Sequence, residues 1–318
     1  MGKIVAVVGL GQLGRRYVEG LLQTSSELSV WGVEKDPEAV ERAQDLLYRS
    51  VPHVHVEILG SIKEVPMNVD LVISATTADV RVSTVRQILY GRNVRYVLLE
   101  KLLTQSLADS LELSHLATQV QRVWVNYPRR IMVWHRLLRN FVRGSTPVRV
   151  SVDLGSPGLL TKMLHYIDLV EWWTDSRARE IQIRGQSLEW FESKRPGFFD
   201  ATGVVDVMFR DTSVLTLHST PKGSQPSKNR ITVDGGGKTL SISEPDGIAS
   251  GSMLGNAIAG RLELQSELTG PLVDRILEKG TCGLPSLEDV LGTHNLFISK
   301  LLAEQDKQYG ARGKLMVT

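Results

Sequence analysis

Three groups of side chains in this sequence have the types and spacing to do chemistry. The first is a glycine turn, Gly9, Gly11 and Gly14 in "GLGQLG". The second is the adjacent pair Glu100 and Lys101, at the end of the apolar run "VRYVLLEK". The third is a helical stripe of Thr161, His165, Asp168 and Trp172, with Lys162 beside it. A lysine ammonium holds a reacting oxygen and stabilises negative charge developing on it. An imidazole such as His165 takes or returns a proton near neutral pH. Lys162 assists, or binds a carboxylate or phosphate. Asp168 orients His165 or caps a turn, and Trp172 can wall a ring.

The elements that must position these groups follow from the patterning. Lys3 to Val8 reads as a buried strand, and a helical pattern continues from the glycines through "RRYVEGLLQTS". Strand, glycine turn and helix form the context of a dinucleotide site. Gly9 makes the tight turn, Gly11 lets the backbone approach a pyrophosphate, and Gly14 allows close helix–strand packing. The first-turn amides, around Gln12 and Leu13, face the phosphates. The second strand ends in "GVEKDPEAV". Glu34 stands where a carboxylate accepts hydrogen bonds from the adenosine ribose of NAD and repels the 2′-phosphate of NADP. Lys35 softens that preference, so NAD is favoured over NADP. Asp36-Pro37 reads as a helix start.

"HVHVEIL", "VDLVISATT", "VRYVLLE" and "RVWVNY" read as four further strands, and helical segments such as "DVRVSTVRQILYG" and "LADSLELSHLATQ" separate several of them. This pattern predicts a mostly parallel sheet covered on both faces, with ligands beyond the carboxyl ends of its strands. Ala75, Thr76 and Thr77 follow the fourth strand, Glu100 and Lys101 the fifth, and Asn126 the sixth. All converge on the edge that carries the glycine turn, so Lys101 is expected where a nicotinamide meets its substrate. Glu100 is expected to pair with Lys101, or to fix the turn and a ribose hydroxyl.

From Pro128 the character changes. "RRIMVWHRLLRNFVRG" is a basic amphipathic helix whose arginines read as solvated surface, Arg130 excepted because it starts near the sixth strand end. A run of antiparallel strands follows: "VRVSVDLG", "REIQIRGQ", "SLEWFES", "VVDVMFR", "SVLTLHST", "NRITVDG" and "KTLSISEP". "PKGSQPSKN" reads as a flexible loop. Such a sheet has one packed face and one variable face, and a second subunit is the expected cover for the latter. "GLPSLEDVLGTHNLFISKLLAEQ" is a terminal helix, with His294 read as core. The expected organisation is a dinucleotide-binding domain over 1–122 and a substrate-binding and oligomerisation domain over 123–318, the last helices packing back on the first.

Composition narrows the function classes. The 318 residues carry 42% hydrophobic residues and a formal charge of +2, with 37 basic against 35 acidic groups. That balance, without a basic block, predicts no nucleic-acid partner. The apolar start "IVAVVGL" is too short for a membrane helix. One cysteine, Cys282, fits a reducing, cytoplasmic setting. No His, Cys or carboxylate spacing persuades as a metal site.

Together these motifs resemble the glucose–fructose oxidoreductase, inositol dehydrogenase and rhizopine-catabolism (Gfo/Idh/MocA) family, over essentially the whole chain. The resemblance rests on "GLGQLG", "ATT" after strand four, "EK" after strand five and "HYID" in the first helix of the second domain. The chain departs from the family where Glu-Lys-Pro becomes Glu100-Lys101-Leu102, where threonine-proline becomes Thr76-Thr77, and where the Asp four residues before the histidine becomes Thr161. The resemblance implies an amino-terminal Rossmann domain followed by a mostly antiparallel open-sheet domain with covering helices. It implies Asn126 near the nicotinamide and Arg130 facing the substrate. The expected activity is NAD-dependent hydride transfer at a hydroxyl or keto carbon of a sugar, cyclitol or nucleotide-linked sugar. Lys101 and His165 are the expected catalytic pair, in a homodimer or homotetramer formed through the open sheet face. The alternatives are a reductase of an imine or biliverdin-like tetrapyrrole, and a non-catalytic NAD-binding sensor.

Overall fold

The computed structural model describes residues 2–49, 51–225 and 227–317; Pro226 of the expected flexible loop lies outside them. In chain order the elements are β1 (Lys3–Val8), α1 (Gln12–Leu21), β2 (Leu28–Val33), α2 (Pro37–Ala43), β3 (Val54–Leu59), β4 (Asn68–Ser74), α3 (Ala78–Leu89), β5 (Asn93–Leu99), α4 (Leu107–Ala117) and β6 (Arg122–Val125). There follow α5 (Val133–Arg143), β7 (Val148–Asp153), α6 (Leu159–Thr174), β8 (Ala178–Glu192), β9 (Phe199–Phe209), β10 (Val214–Ser219), β11 (Arg230–Gly235), β12 (Lys238–Ser243), β13 (Ile248–Ser250), β14 (Ile258–Ala259), α7 (Gln265–Lys279) and α8 (Leu287–Tyr309).

The first compact unit takes residues up to Thr104, Ala108–Ile131 and Glu263–Val290. Its sheet has the order β3-β2-β1-β4-β5-β6, with every pairing parallel. The chain turns one way from β1 to β2 and the other way to β4, which makes the carboxyl end of β1 the topological switch point. Continuous apolar runs form the central strands because helices cover both faces: Val5, Ala6, Val7, Leu71, Val72, Ile73, Leu98 and Leu99 are fully buried.

The division differs from the expected 1–122 and 123–318. β6 begins at Arg122 and pairs with β5, so the first unit must run past it, to Ile131. α7 then returns to the first unit and packs on α1, where a Cβ on Gly20 would lie 2.5 Å from Ser266 O. Asp274 of α7 fastens the chain after α1, accepting hydrogen bonds from Thr24 Oγ1, from the Ser25 amide (3.1 Å) and from Ser26 Oγ (2.6 Å).

The second unit holds Gln105–Leu107, Met132–Leu262 and Leu291–Thr318. Its eight strands run β14-β13-β12-β11-β7-β10-β9-β8, antiparallel except for the β7–β10 pair. The segments read as two strands, "REIQIRGQ" and "SLEWFES", form the single strand β8, with a register shift between Arg184 and Glu189. α6 packs against β9 and β10 on the inner face, where Val205, Val207, Leu215 and Leu217 are fully buried. The alternate residues carry polar groups, as in Arg184–Asp206 (2.5 Å) and Thr216–Asp206 (2.7 Å). A buried network sits among α5, α6 and β12: Glu244 accepts from Asn229 Nδ2 at 3.2 Å and lies 3.0 Å from His135 Nε2.

Candidate functional site

The glycine turn joins three strand ends. Gly9 N donates to Val33 O at the end of β2, and Ala75 N donates to Val8 O at the end of β1, both over 2.9 Å. Each glycine has its own reason. Gly9 has φ +90°, and a Cβ there would lie 3.2 Å from Thr76 N. A Cβ on Gly14 would lie 1.8 Å from Gly9 O, so α1 approaches the turn closely only without a side chain. Nothing lies within 4 Å of a Cβ on Gly11, which leaves room for a ligand at the start of α1. α1 has no side-chain cap and no acidic residue in its first turn, so its amino-terminal N–H groups and dipole favour an anion there. Gln12 and Leu13 are exposed at this end.

A cavity of about 570 Å³ opens beside the turn, bounded by Gly9, Glu34, Lys35, Ser61, Thr76 and Gln87 among others. Glu34 is fixed by backbone donors. Its Oε2 accepts from Leu10 N (2.8 Å), and its Oε1 accepts from Lys35 N (2.9 Å) and Asp36 N (3.1 Å). A carboxylate has about four lone-pair sites, so Oε2 keeps acceptor capacity towards the cavity. Ser61 and Lys63, and Ser83, Thr84, Gln87 and Tyr90 on or next to α3, also line it. Sequence reasoning did not identify these; the only signal was their spacing along a helix and a short loop.

Ala75, Thr76 and Thr77 stand half-buried after β4, and Thr76 Oγ1 lies 3.2 Å from Ser74 Oγ. Glu100, expected to pair with Lys101 or to fix the turn and a ribose hydroxyl, is 4% exposed, and its Oε1 accepts both from Tyr17 Oη and from Asn126 Nδ2 (2.7 Å). Burial pushes its carboxyl above the ordinary glutamate range, while Tyr17, Asn126, Lys101 and Arg81 pull the other way. Burial also raises the Tyr17 phenol well above its usual value. Thus the acidic neighbour of Lys101 belongs to the interior, where Tyr17 and Asn126 bond it.

Asn126 links this network to α7. Its Nδ2 also donates to Gln265 Oε1 (2.9 Å), while its buried Oδ1 has no hydrogen-bond partner. Lys101 is half-buried, and the Lys101–Leu102 peptide is cis. Arg130 is half-buried in the single turn Pro128–Arg130. Arg81, which the sequence did not single out, is buried on α3.

In the second unit, α6 begins after Gly158 with no cap from its own chain neighbours. Asp200, the second residue of β9, supplies one. Its Oδ1 accepts from Leu160 N (2.8 Å) and its Oδ2 from Thr161 Oγ1 (2.8 Å). The next residue, Lys162, donates from Nζ to Ser156 Oγ (2.7 Å) and Pro157 O (3.2 Å). Burial lowers the Lys162 ammonium, and Asp200 opposes that shift. His165 is half-buried, and Asp168 is buried on the same helix. Arg139 of α5 lies 4.9 Å above the Trp172 ring and donates to its carbonyl (2.6 Å), so α5 covers one face of the ring.

Among the described residues no group of three or more His, Cys, Asp or Glu is placed to hold a metal. No described helix is long and apolar enough to cross a membrane. Cys282 is buried, and burial pushes its thiol up to about 11. His294 is fully buried, as a core residue.

No family model matches the sequence, and no curated protein matches it. Solved structures do. The myo-inositol dehydrogenase of Lactobacillus casei, solved with NAD(H) and myo-inositol, aligns over 97% of this chain and 96% of its own, at 18% identity and a TM-score of 0.69. The chain has the inositol dehydrogenase fold. The UDP-N-acetylglucosamine 3-dehydrogenase GnnA of Acidithiobacillus ferrooxidans shares that fold, over 98% of this chain and all of its own, at 14% identity and a TM-score of 0.70. So does a super-repressor mutant of Gal80p from Saccharomyces cerevisiae, over 97% of both chains, at 14% identity and a TM-score of 0.72. The inositol dehydrogenase fold is the one the motif resemblance implies.

Proposed function

We propose that this chain is an NAD-dependent oxidoreductase acting on a hydroxyl or keto carbon of a sugar, cyclitol or nucleotide-linked sugar. The observation that carries this reading is the glycine turn with Glu34 bonded to it at the edge of a 570 Å³ cavity. The residues fit a dinucleotide. The open space over Gly11 suits a pyrophosphate, the spare capacity of Glu34 suits a ribose, and the unpartnered Asn126 Oδ1 suits a carboxamide donor. NAD is favoured over NADP because Glu34 brings negative charge to the ribose end. When bound, the nicotinamide supplies the hydride chemistry.

The chain's own residues do the rest. Lys101 holds the reacting oxygen and stabilises the charge that develops on it. In the oxidation direction His165 accepts the hydroxyl proton, and in reduction it returns it. Lys162 and Asp168 stand next to His165 on α6, where they orient it or meet polar substrate groups. Arg130 faces the substrate. The polar alternate face of the second sheet is the proposed contact in a homodimer or homotetramer. A cytoplasmic setting is supported by a single, buried cysteine.

Replacing Lys101 with Met tests the assignment, using NAD with a panel of sugars, cyclitols and nucleotide sugars. Turnover should vanish while NADH binding largely persists. Unchanged turnover in that variant overturns the role of Lys101. One observation favours a second reading, a non-catalytic NAD-binding regulator: the fold is shared with a super-repressor mutant of Gal80p. NADH binding without turnover on the whole panel would favour it.

A further inference from the structure

We propose that Arg81 positions Lys101, by tying the chain just after it to the turn that walls the cofactor cavity; this rests on the function proposed above. Arg81 stands on the first turns of α3 and is 1% exposed. Its Nη1 donates to Leu102 O and to Leu103 O (3.2 Å), and its Nη2 donates to Thr76 O. One guanidinium therefore spans two loops that sequence reading brings to the same sheet edge.

The two sides of this clamp are unequal. Thr76 is already held, because the Gly9 turn lies close on its backbone: a Cβ on Gly9 would come within 3.2 Å of Thr76 N. The Leu102–Leu103 segment leads directly from Lys101, and both leucine side chains are buried. Thr76 is thus the anchor, and the backbone after Lys101 is what the anchor holds.

Packing alone does not require an arginine here. A methionine would fill much of the same volume without taking a charge out of water. Burial pushes the Arg81 guanidinium down to about 10, and Glu100, Tyr17 and Asp79 act to hold it up. A planar guanidinium reaches carbonyls on two sides from separate nitrogens in a fixed geometry, which a single ammonium nitrogen does not. Its retention in the interior is therefore explained by placement of the groups it bonds, with Lys101 the one among their neighbours that carries chemistry.

Acylation of surface and active-site amines, followed by peptide mass spectrometry, reads the position of Lys101 without needing the substrate. Exposed Lys3 serves as the internal control. In the natural protein, NADH at about ten times its Kd should slow acylation of Lys101 about tenfold and leave Lys3 unchanged. In Arg81→Met, protection of Lys101 should fall below about twofold, although calorimetry still shows NADH bound at that concentration. Arg81→Lys, which keeps the charge but gathers its three N–H donors on one nitrogen, should be intermediate, and it carries the test if Arg81→Met does not fold. Full protection in the folded variants with NADH bound would overturn the role of Arg81. NADH binding without protection of Lys101 in the natural protein would overturn it too. Failure of the natural protein to bind NADH would instead remove the functional reading.

Discussion

The Leu10 amide donates to Glu34 Oε2 over 2.8 Å, which bonds the acid at the end of β2 to the glycine turn after β1. Two segments 24 residues apart in sequence thus form one rigid edge. The acid is held by three backbone N–H groups, so it does not swing away from the cavity. Glu34→Gln keeps the size but loses the charge and part of the acceptor set. It should weaken NADH about tenfold, the scale of a lost hydrogen bond to a charged group. NADPH should weaken less, because repulsion of the 2′-phosphate goes with the charge. Parallel calorimetric titrations measure both.

Gly11 and Gly14 should separate folding from binding. Gly11→Ala meets open space at a φ of −59°, so its thermal midpoint should stay within about 1–2 °C of the parent. NADH binding should nonetheless fall at least about tenfold, because the methyl group occupies the space the pyrophosphate needs. Gly14→Ala drives a Cβ to 1.8 Å from Gly9 O and should cost about 2 kcal/mol or more in urea unfolding.

Glu100 makes a prediction about pH. Burial raises its folded carboxyl above the unfolded value, so the folded state binds this proton more tightly. Its contribution to stability is therefore fully present below the unfolded range and is lost as pH rises through the folded one. Glu100→Gln mimics the protonated form and escapes that loss. The stability of Glu100→Gln relative to the parent should increase from pH 4 to pH 8, read as the difference in urea midpoints. A constant difference across that range would contradict the burial account.

Asp200 should be worth more than its surface neighbours. Asp200→Ala leaves the Leu160 amide and the Thr161 hydroxyl without their acceptor at the start of α6, and should cost about 2–4 kcal/mol. Thr161→Val removes one bond and should cost about 1 kcal/mol. Denaturant unfolding of both variants gives the comparison.

What was legible in the sequence follows from how local each signal is. The glycine turn, Glu34 and the strand ends at Thr76 and Lys101 could be read because each motif lies within one strand and its next turn. The parallel sheet was legible from its apolar runs. Partners far along the chain were not: Tyr17 meets Glu100 across 83 residues, Asn126 meets Gln265 across 139, and Thr161 meets Asp200 across 39. No local pattern says that a tyrosine on α1 will bury the acid beside Lys101. Nor does helical spacing show that Arg139 will cover Trp172, since the stripe on α6 reads the same with or without α5 beside it. The first unit runs past 122 because β6 pairs with β5, a partnership across the whole of α4.

Calorimetric titration of folded, cofactor-free protein with NADH and, separately, NADPH tests the central claim most directly. Clear NADH binding and much weaker NADPH binding are expected, set by the Gly9–Gly14 turn and Glu34. Binding of neither nucleotide would contradict that claim.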